Sequence, residues 1–547
     1  MRYIVVIVLL LGLSGIHCAL FSQKQEVDLI VHNAKVYTVD NDFSMASAFA
    51  VHEGKFIAVG DKKEILKNYS SESVFDADGS YIYPGFNDGH SHFIGYGLWV
   101  SKYADLVGTA SMNEVLIKLK QHDKEFPSDW ILGRGWDQND WEIKEFPTNE
   151  LLNAAFPDKA VAVTRIDGHA ILANDYALKL AGIDSNSEID GGEILLKDGK
   201  PTGVLIDKAK TLLTKFMPKQ STSDITTAIL KAQEDCFAVG LTTVSDAGID
   251  KDEVLLIKKL QDEGRLKIAV YAMLDPNKRN FEYFYPQGPL HYPRLTISSI
   301  KLYSDGALGS RGALLLEPYS DDPDNYGLQM NSEEYFLDMC QKAYEAGYQV
   351  NTHAIGDSGN RMMLQTYAKV LKGKNDKRWR VEHAQIVHTS DIQMFNEFSI
   401  IPSVQATHCT SDMHWADERL GEERIKTAYA YNDLLKQLGW LVNGTDFPIE
   451  HINPLRTFYA SVVRKDMDGL PEEGFQLENA LSREDALKSI TIWPAKGSFD
   501  ENTKGSIEVG KNADFVVLEI DLMTAKDSKI LNAEVKNTFM MGENVFN

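Results

Sequence analysis

The chain has 547 residues, 44% of them hydrophobic and 25% charged, which suits a globular protein with one large domain and a smaller one. Its 56 Lys and Arg stand against 79 Asp and Glu, a formal net charge of −23. A surplus of that sign argues against nucleic acid or an anionic membrane as partner, because both are polyanions.

The N-terminus is Met1-Arg2-Tyr3, followed by an apolar run from Ile4 to Leu13 and then by Ser14, Gly15 and Cys18. This order predicts a signal peptide over residues 1–18 and a secreted, periplasmic or ER-lumenal mature protein. The run is too short to argue for a stable membrane span. His17 stands where a lipobox wants a small residue, so lipid anchoring at Cys18 is the weaker reading. Residues 27–83 then alternate apolar and polar positions around Gly and Asn turns, as in VDLIVHNAKVYTV, and predict strands. Residues 500–547 have the same texture, so the two ends are expected to build one composite β-sandwich. Asn68-Tyr69-Ser70 is a glycosylation sequon, of consequence only in a eukaryotic secreted protein.

Residues 84–495 alternate short apolar strands with amphipathic helices, which predicts a parallel α/β domain. Candidate strands lie at 83–93, 241–248, 266–274, 296–307, 348–357, 379–386, 400–407 and 440–448. Eight is the number a closed (β/α)8 barrel needs. About 145 residues separate the first two strands, far more than a connecting loop. They include the strand-like DWILGRGW and AVAVTRIDGHA, and predict a subdomain inserted at about 98–235, over the barrel mouth. Cys236, Cys340 and Cys409 are odd in number and far apart, so they read as buried thiols, and no CxxC pair is present.

The expected strands end in residues that bind metals or move protons. His90 and His92 share one face of the first strand, being two apart. Lys301 lies on the fourth strand, His353 on the fifth, His383 on the sixth and Asp446 on the eighth. A lone histidine is more often a hydrogen-bonded core or surface residue than a ligand, and a lone lysine is usually solvated. The joint pattern favours the other reading, because the C-terminal strand ends of such a barrel ring one mouth. The donor set suits zinc or a similar divalent cation, one ion or two.

Narrower motifs accompany these residues. PGFNDGHSHF, GRGWDQNDW, RIDGHA, KLYSDGALGSRGALLLEPYSDD, HAIGD, RVEHAQ, THCTSDMHWADERLG, GTDFPIEHINPL and GSIEVGKNADFVVL together resemble amidohydrolase family 3 of the amidohydrolase superfamily. Within it they resemble the YtcJ-like branch with the N-substituted formamide deformylases, from about residue 27 to the end. The resemblance implies roles. His90, His92, His353 and His383 match metal ligands. Lys301 matches a lysine that bridges two metals when N6-carboxylated. Asp446 matches the aspartate that binds metal and takes the proton from the attacking water. Asn87 and Ser358-Gly359 depart from the family pattern without touching a ligand position, which puts substrate preference in question.

Trp136, Asp137 and Trp415, with Phe93, Trp99 and Trp141, are candidates for a substrate wall, against the alternative of loop packing. Arg165, His169, Asp305 and Arg311 are candidates for orienting substrate or supporting ligands, with an Asp305–Arg311 structural ion pair as the alternative. The function expected is a secreted hydrolase of a C–N bond in a small amide-type substrate, with a homodimer left open as the assembly. A cyclic amide, a carbamate or a deaminase substrate is the enzymatic alternative. A non-catalytic metal-binding protein is disfavoured because no ligand position is missing.

Overall fold

The computed structural model describes residues 24–547. The expected signal peptide and Cys18 lie outside the described residues. Eight parallel strands form the centre: β1 Phe86–Ser91, β2 Leu241–Ile249, β3 Ala269–Leu274, β4 Leu295–Tyr303, β5 Gln349–Ala354, β6 Arg380–His383, β7 Ile401–Val404 and β8 Val442–Asn443. They are hydrogen-bonded in sequence order from β1 to β8, so the ladder is a nearly closed barrel. All eight meet the strands expected from the apolar runs. Their buried faces point both inward and onto an outer layer of helices, which explains runs with little alternation.

Closure depends on two glycines. β8 is only two residues long, and the ladder does not extend from it to β1. The Asp446 N–H instead donates to His90 O and the His92 N–H to Phe447 O, both at 2.8 Å. A Cβ on Gly89 would lie 2.2 Å from Val442 Cγ1 and 2.8 Å from Asn443 O, and one on Gly444 would lie 2.5 Å from His90 N. Only hydrogen fits where these backbones meet. Asp88 fastens the same seam, accepting from Thr445 N at 3.0 Å, Thr445 Oγ1 at 2.7 Å and His90 N at 3.1 Å.

Between β1 and β2 the chain leaves the barrel. Helix Phe93–Lys102 follows β1 directly and packs on helix Thr222–Ala238, which leads into β2. Ser221 starts that second helix with a capping box closed by Asp224. Between the two helices lies a six-stranded mixed sheet, ordered Gly192–Lys197, Lys200–Asp207, Ala170–Ala173, Ala160–Arg165, Trp130–Trp136, Ala104–Asp105. It has its own apolar core, with Leu106, Val115, Trp136, Trp141, Leu152 and Val163 among its members.

Strands from both ends of the chain share one eight-stranded sheet. Tyr81–Pro84 pairs with Leu29–Tyr37 on one side and with Phe515–Leu518 on the other. The sheet curls until Phe56 exchanges backbone hydrogen bonds with Gly510 and Lys511, enclosing Phe49, Phe56, Phe515 and Phe539. Phe49 meets Phe56 and Phe515 edge-on, and Phe515 stacks on Phe539. Cys236, Cys340 and Cys409 are free and buried, as their spacing suggested. Among the described residues no helix is long and apolar enough to cross a membrane.

Candidate metal centre and the cavity above it

The C-terminal ends of the barrel strands converge as the strand pattern required. Donor atoms of His90, His383 and Asp446 lie within 4.8 Å of one another. His92 Nε2 is 3.3 Å from Asp446 Oδ1, and Lys301 Nζ is 3.0 Å from His90 Nε2. The His353 ring centroid lies 4.5 Å from that of His383. All six side chains are therefore in one cluster, with Lys301, His90 and His383 buried and His92 part-exposed toward the cavity.

Hydrogen bonds on the far side of each ring set which nitrogen faces the centre. His90 Nδ1 is 2.6 Å from the Glu382 carboxylate, so it carries the proton and Nε2 keeps its lone pair. His92 Nδ1 donates to Ala247 O at 3.1 Å, and His383 Nδ1 to Gln405 Oε1 at 2.7 Å. His353 Nε2 faces Gly306 O at 3.3 Å, which leaves Nδ1 as its free lone pair. The His92 Nε2 lone pair thus faces Asp446 Oδ1, a buried oxygen with no hydrogen-bond donor. Two acceptors this close repel unless a cation shares them. Neutral imidazoles around a carboxylate are a donor set for a divalent cation such as zinc, so the residues fit the metal.

The electrostatics agree. Burial pushes His92, His353 and His383 down from the usual imidazole range, keeping them neutral. Burial alone would raise the Asp446 carboxyl, but positive charge at His90, His92 and His383 outweighs it and holds Asp446 well below the ordinary range; with the imidazoles neutral, a cation at the centre would have to supply that charge. Burial lowers the Lys301 amine to about 8, against the pull of Glu382 and Asp446. Two of the positions are also strained: φ is +59° at Asp446 and +72° at His383, followed by +41° at Ala384. Left-handed backbone at such residues costs about 1–3 kcal/mol each and is found where the surroundings over-determine a functional geometry.

Above the cluster is a cavity of 570 Å³, bounded below by the strand ends and above by the loops leaving the inserted sheet. Asp137, Arg165, His169 and Trp415 line it, and so does Trp99. Trp136 does not. It is 1% exposed inside the inserted core and donates through Nε1 to Val163 O at 2.9 Å. Trp141 and Phe93 are likewise buried away from the cavity. A strand of that sheet alternates sides, so Trp136 points inward while Asp137 reaches the mouth.

Arg165 lines the cavity with its charge already spent. It pairs with Asp137, with Asp167 at 2.6 Å and with Gln138 Oε1 at 2.8 Å. His169 Nδ1 is held by Asp207 Oδ1 at 2.6 Å. Asp305 and Arg311 do not pair with each other and do not line the cavity. Arg311 pairs with Asp321 at 2.8 Å. Asp305 accepts from Leu314 N at 2.9 Å, Ile355 N at 3.1 Å and Gly356 N at 2.8 Å, tying down the loop after β4 beside His353.

Sequence reasoning missed two members. Glu382 immediately precedes His383, and both side chains meet His90, Glu382 at 2.6 Å across the barrel and His383 with its ring centroid at 5.0 Å. His408 begins the helix after β7, its Nε2 unpartnered and 3.7 Å from Asp446 Oδ2. His408 lies in the quoted motif THCTSDMHWADERLG, where it was the one signal available.

Comparison with known proteins points the same way. The profile described as "Amidohydrolase family" matches residues 73–546. The putative amidohydrolase YtcJ of Bacillus subtilis is 31% identical over 94% of this chain and 99% of its own length. An N-substituted formamide deformylase of Arthrobacter pascens is 26% identical over 94% of this chain and 97% of its own length. The crystal structure of a metal-dependent hydrolase from Pyrococcus horikoshii superposes with a TM-score of 0.74 at 30% identity, covering 91% of this chain and 99% of that one. With its barrel, its cluster of strand-end histidines around Asp446 and this match over most of its length, the chain belongs to the amidohydrolase family.

Proposed function

We propose that this metal-dependent hydrolase cleaves a C–N bond in a small amide, of the N-substituted formamide kind, and that Asp446 is its general base. The observation that carries the reading is the 3.3 Å contact between two acceptors, His92 Nε2 and an undonated Asp446 oxygen, beside the rings of His90, His353 and His383. His90, His92, His353, His383 and Asp446 would hold one zinc ion or two. Lys301 would bridge a pair of ions after its neutral amine adds carbon dioxide, forming an N–C bond and releasing one proton. The cation would lower the pKa of water toward neutrality and polarise the substrate carbonyl. Asp446 would take the proton from the water that adds to that carbonyl. As the C–N bond breaks, Asp446 would return the proton to the leaving nitrogen, and the products are an acid and an amine.

The relative that is an N-substituted formamide deformylase supports the choice of bond. The N-terminal apolar run supports export to an extracellular, periplasmic or ER-lumenal space. N-terminal sequencing of the mature protein checks this: a start at Met1 in a soluble extract would contradict it. For the activity, metal analysis is combined with a screen of N-substituted formamides and amides. Asp446→Asn should leave much of the metal bound and lower turnover by about 10²–10⁴-fold, since an amide cannot take the proton. A protein without metal affinity and without turnover on any amide would sink the proposal.

A further inference from the structure

We infer that the substrate of this site carries a carboxylate, which docks on Arg134 and Lys210 beneath the inserted sheet; the inference rests on the hydrolase reading above. A second cavity of 630 Å³ adjoins the first and shares His92, His169 and Tyr303 with it. Arg134, Lys208 and Lys210 line it, in a chain whose net charge is −23.

Arg134 is the anomaly. Its neighbour on the next strand, Arg165, holds two carboxylates. Arg134 holds none within 4.0 Å among the described residues. Nη2 donates to Ile166 O at 3.0 Å, while the buried Nε has no hydrogen-bond partner. A guanidinium without an anion in a desolvated wall is costly unless a ligand supplies one. Among the described residues Lys210 Nζ bonds only the Gly168 carbonyl, and burial lowers both cations from their ordinary ranges.

The acids facing this cavity are bound to partners other than Arg134 and Lys210. Asp167 is held by Arg165 and Asp275 by Asn277 Nδ2 at 3.0 Å, while Asp207 is held through Oδ1 by His169 and keeps its buried Oδ2 without a donor. The other Asp207 oxygen is turned toward Gly306 and Gly312. Asp105, beside Arg134 in the sheet register, accepts from Val107 N at 3.1 Å. These carboxylates would repel a phosphate dianion. A planar monoanion matches the unused donors of a guanidinium, which grips a carboxylate through two parallel bonds. Both cavities meet at His92, so one molecule can reach the strand-end cluster with its scissile amide and Arg134 with its carboxylate.

The test uses N-acetylglycine and its homologues up to N-acetyl-6-aminohexanoate, each paired with its neutral carboxamide. Binding is measured by calorimetry on the zinc-loaded Asp446→Asn protein, so turnover plays no part. At least one acid should bind about tenfold or more tighter than its carboxamide. Arg134→Gln in that background should abolish the preference and leave carboxamide binding unchanged, and Lys210→Met should weaken it. Thermal unfolding of each variant shows whether it folds. In the enzyme with Asp446 intact, the same preference should appear in KM rather than kcat. Equal binding of acid and carboxamide throughout the series overturns the inference, whether or not amides are hydrolysed. A preference that survives both Arg134→Gln and Lys210→Met in folded proteins overturns it too. A preference lost in those variants, in an enzyme that hydrolyses no amide, supports the anion site and overturns the hydrolase reading alone.

Discussion

Asp446 shows how a side chain acquires a role from its surroundings. Positive charge beside it, on the imidazoles or on a cation they would share, keeps it ionised in a buried place where a solitary aspartate would be protonated. Its backbone is held at a φ that an aspartate seldom adopts. Glu382 acts one bond further out, orienting His90 through Nδ1 at 2.6 Å while accepting from Ser403 Oγ at 2.6 Å. Glu382→Gln should therefore weaken metal binding by about 10–100-fold, the usual cost of losing a carboxylate behind a ligating histidine. Metal content after dialysis against graded chelator measures this. Retention equal to the unchanged protein would mean that His90 needs no such support. The strand-end histidines and Asp446 were legible from order and spacing alone. Trp136 was not placed by the same reasoning, because an aromatic residue in a motif can face a core or a cavity and only packing decides which.

At the scale of elements, the barrel depends on a seam rather than a full ladder. β1 and β8 meet through the backbones of Gly89 and Gly444, with Asp88 holding Thr445 and His90 on either side. Gly89→Ala should destabilise the fold by about 1–3 kcal/mol, the range for forcing a methyl group into a packed interior. It should also loosen the metal, since His90 and Asp446 flank the seam. Denaturant unfolding and metal titration on the same preparation check both effects. An unshifted midpoint would show that the seam opens without cost. The inserted sheet is the second element with a function. Its parallel strands Trp130–Trp136 and Ala160–Arg165 end over the barrel mouth and deliver Asp137, Arg165, Asp167 and His169 to the cavity.

For the whole molecule, stability should depend on metal and on pH. A cation that binds only the folded state adds about 3–4 kcal/mol at 100 to 1,000 times its dissociation constant. Chelation should lower the melting temperature, and zinc should restore it. An unchanged melting temperature at proven metal loss would separate the site from the fold. Two aspartates, Asp167 half-buried and Asp246 buried, then give opposite pH slopes. Burial would raise Asp167, but Arg165 above all, with His169, holds it at about 2. Its contribution is present above the unfolded value near 4 and is lost as pH falls toward 2. Burial raises Asp246 to about 7, so its contribution is present below about 4 and is lost as pH rises toward 7. Asp246 accepts from Phe93 N at 3.0 Å, and an asparagine oxygen can take over that bond. Asp246→Asn should thus become more stable relative to the unchanged protein between pH 4 and 7, read as the difference in melting temperature at each end of that range. Parallel curves would show that Asp246 does not titrate there.

The amino-acid sequence by itself determined the barrel, because apolar strands at regular intervals and helices between them permit few other parallel folds. It determined the strand-end cluster as well, since residues at the ends of neighbouring parallel strands must come together. Only the tertiary structure decided which of the remaining polar and aromatic residues serve the site. Arg165 and Arg134 look alike in the chain, yet two carboxylates neutralise the first and none meets the second. Glu382 joins the centre through a contact with His90 across the barrel, and His408 through its approach to Asp446 beyond the neighbouring strand, placements that spacing in the chain does not give. Strand periodicity is set by neighbours in the chain, whereas a side chain's partner and exposure are set by whatever the fold brings beside it, whether 2 positions away, as Asp167 is from Arg165, or 292, as Glu382 is from His90.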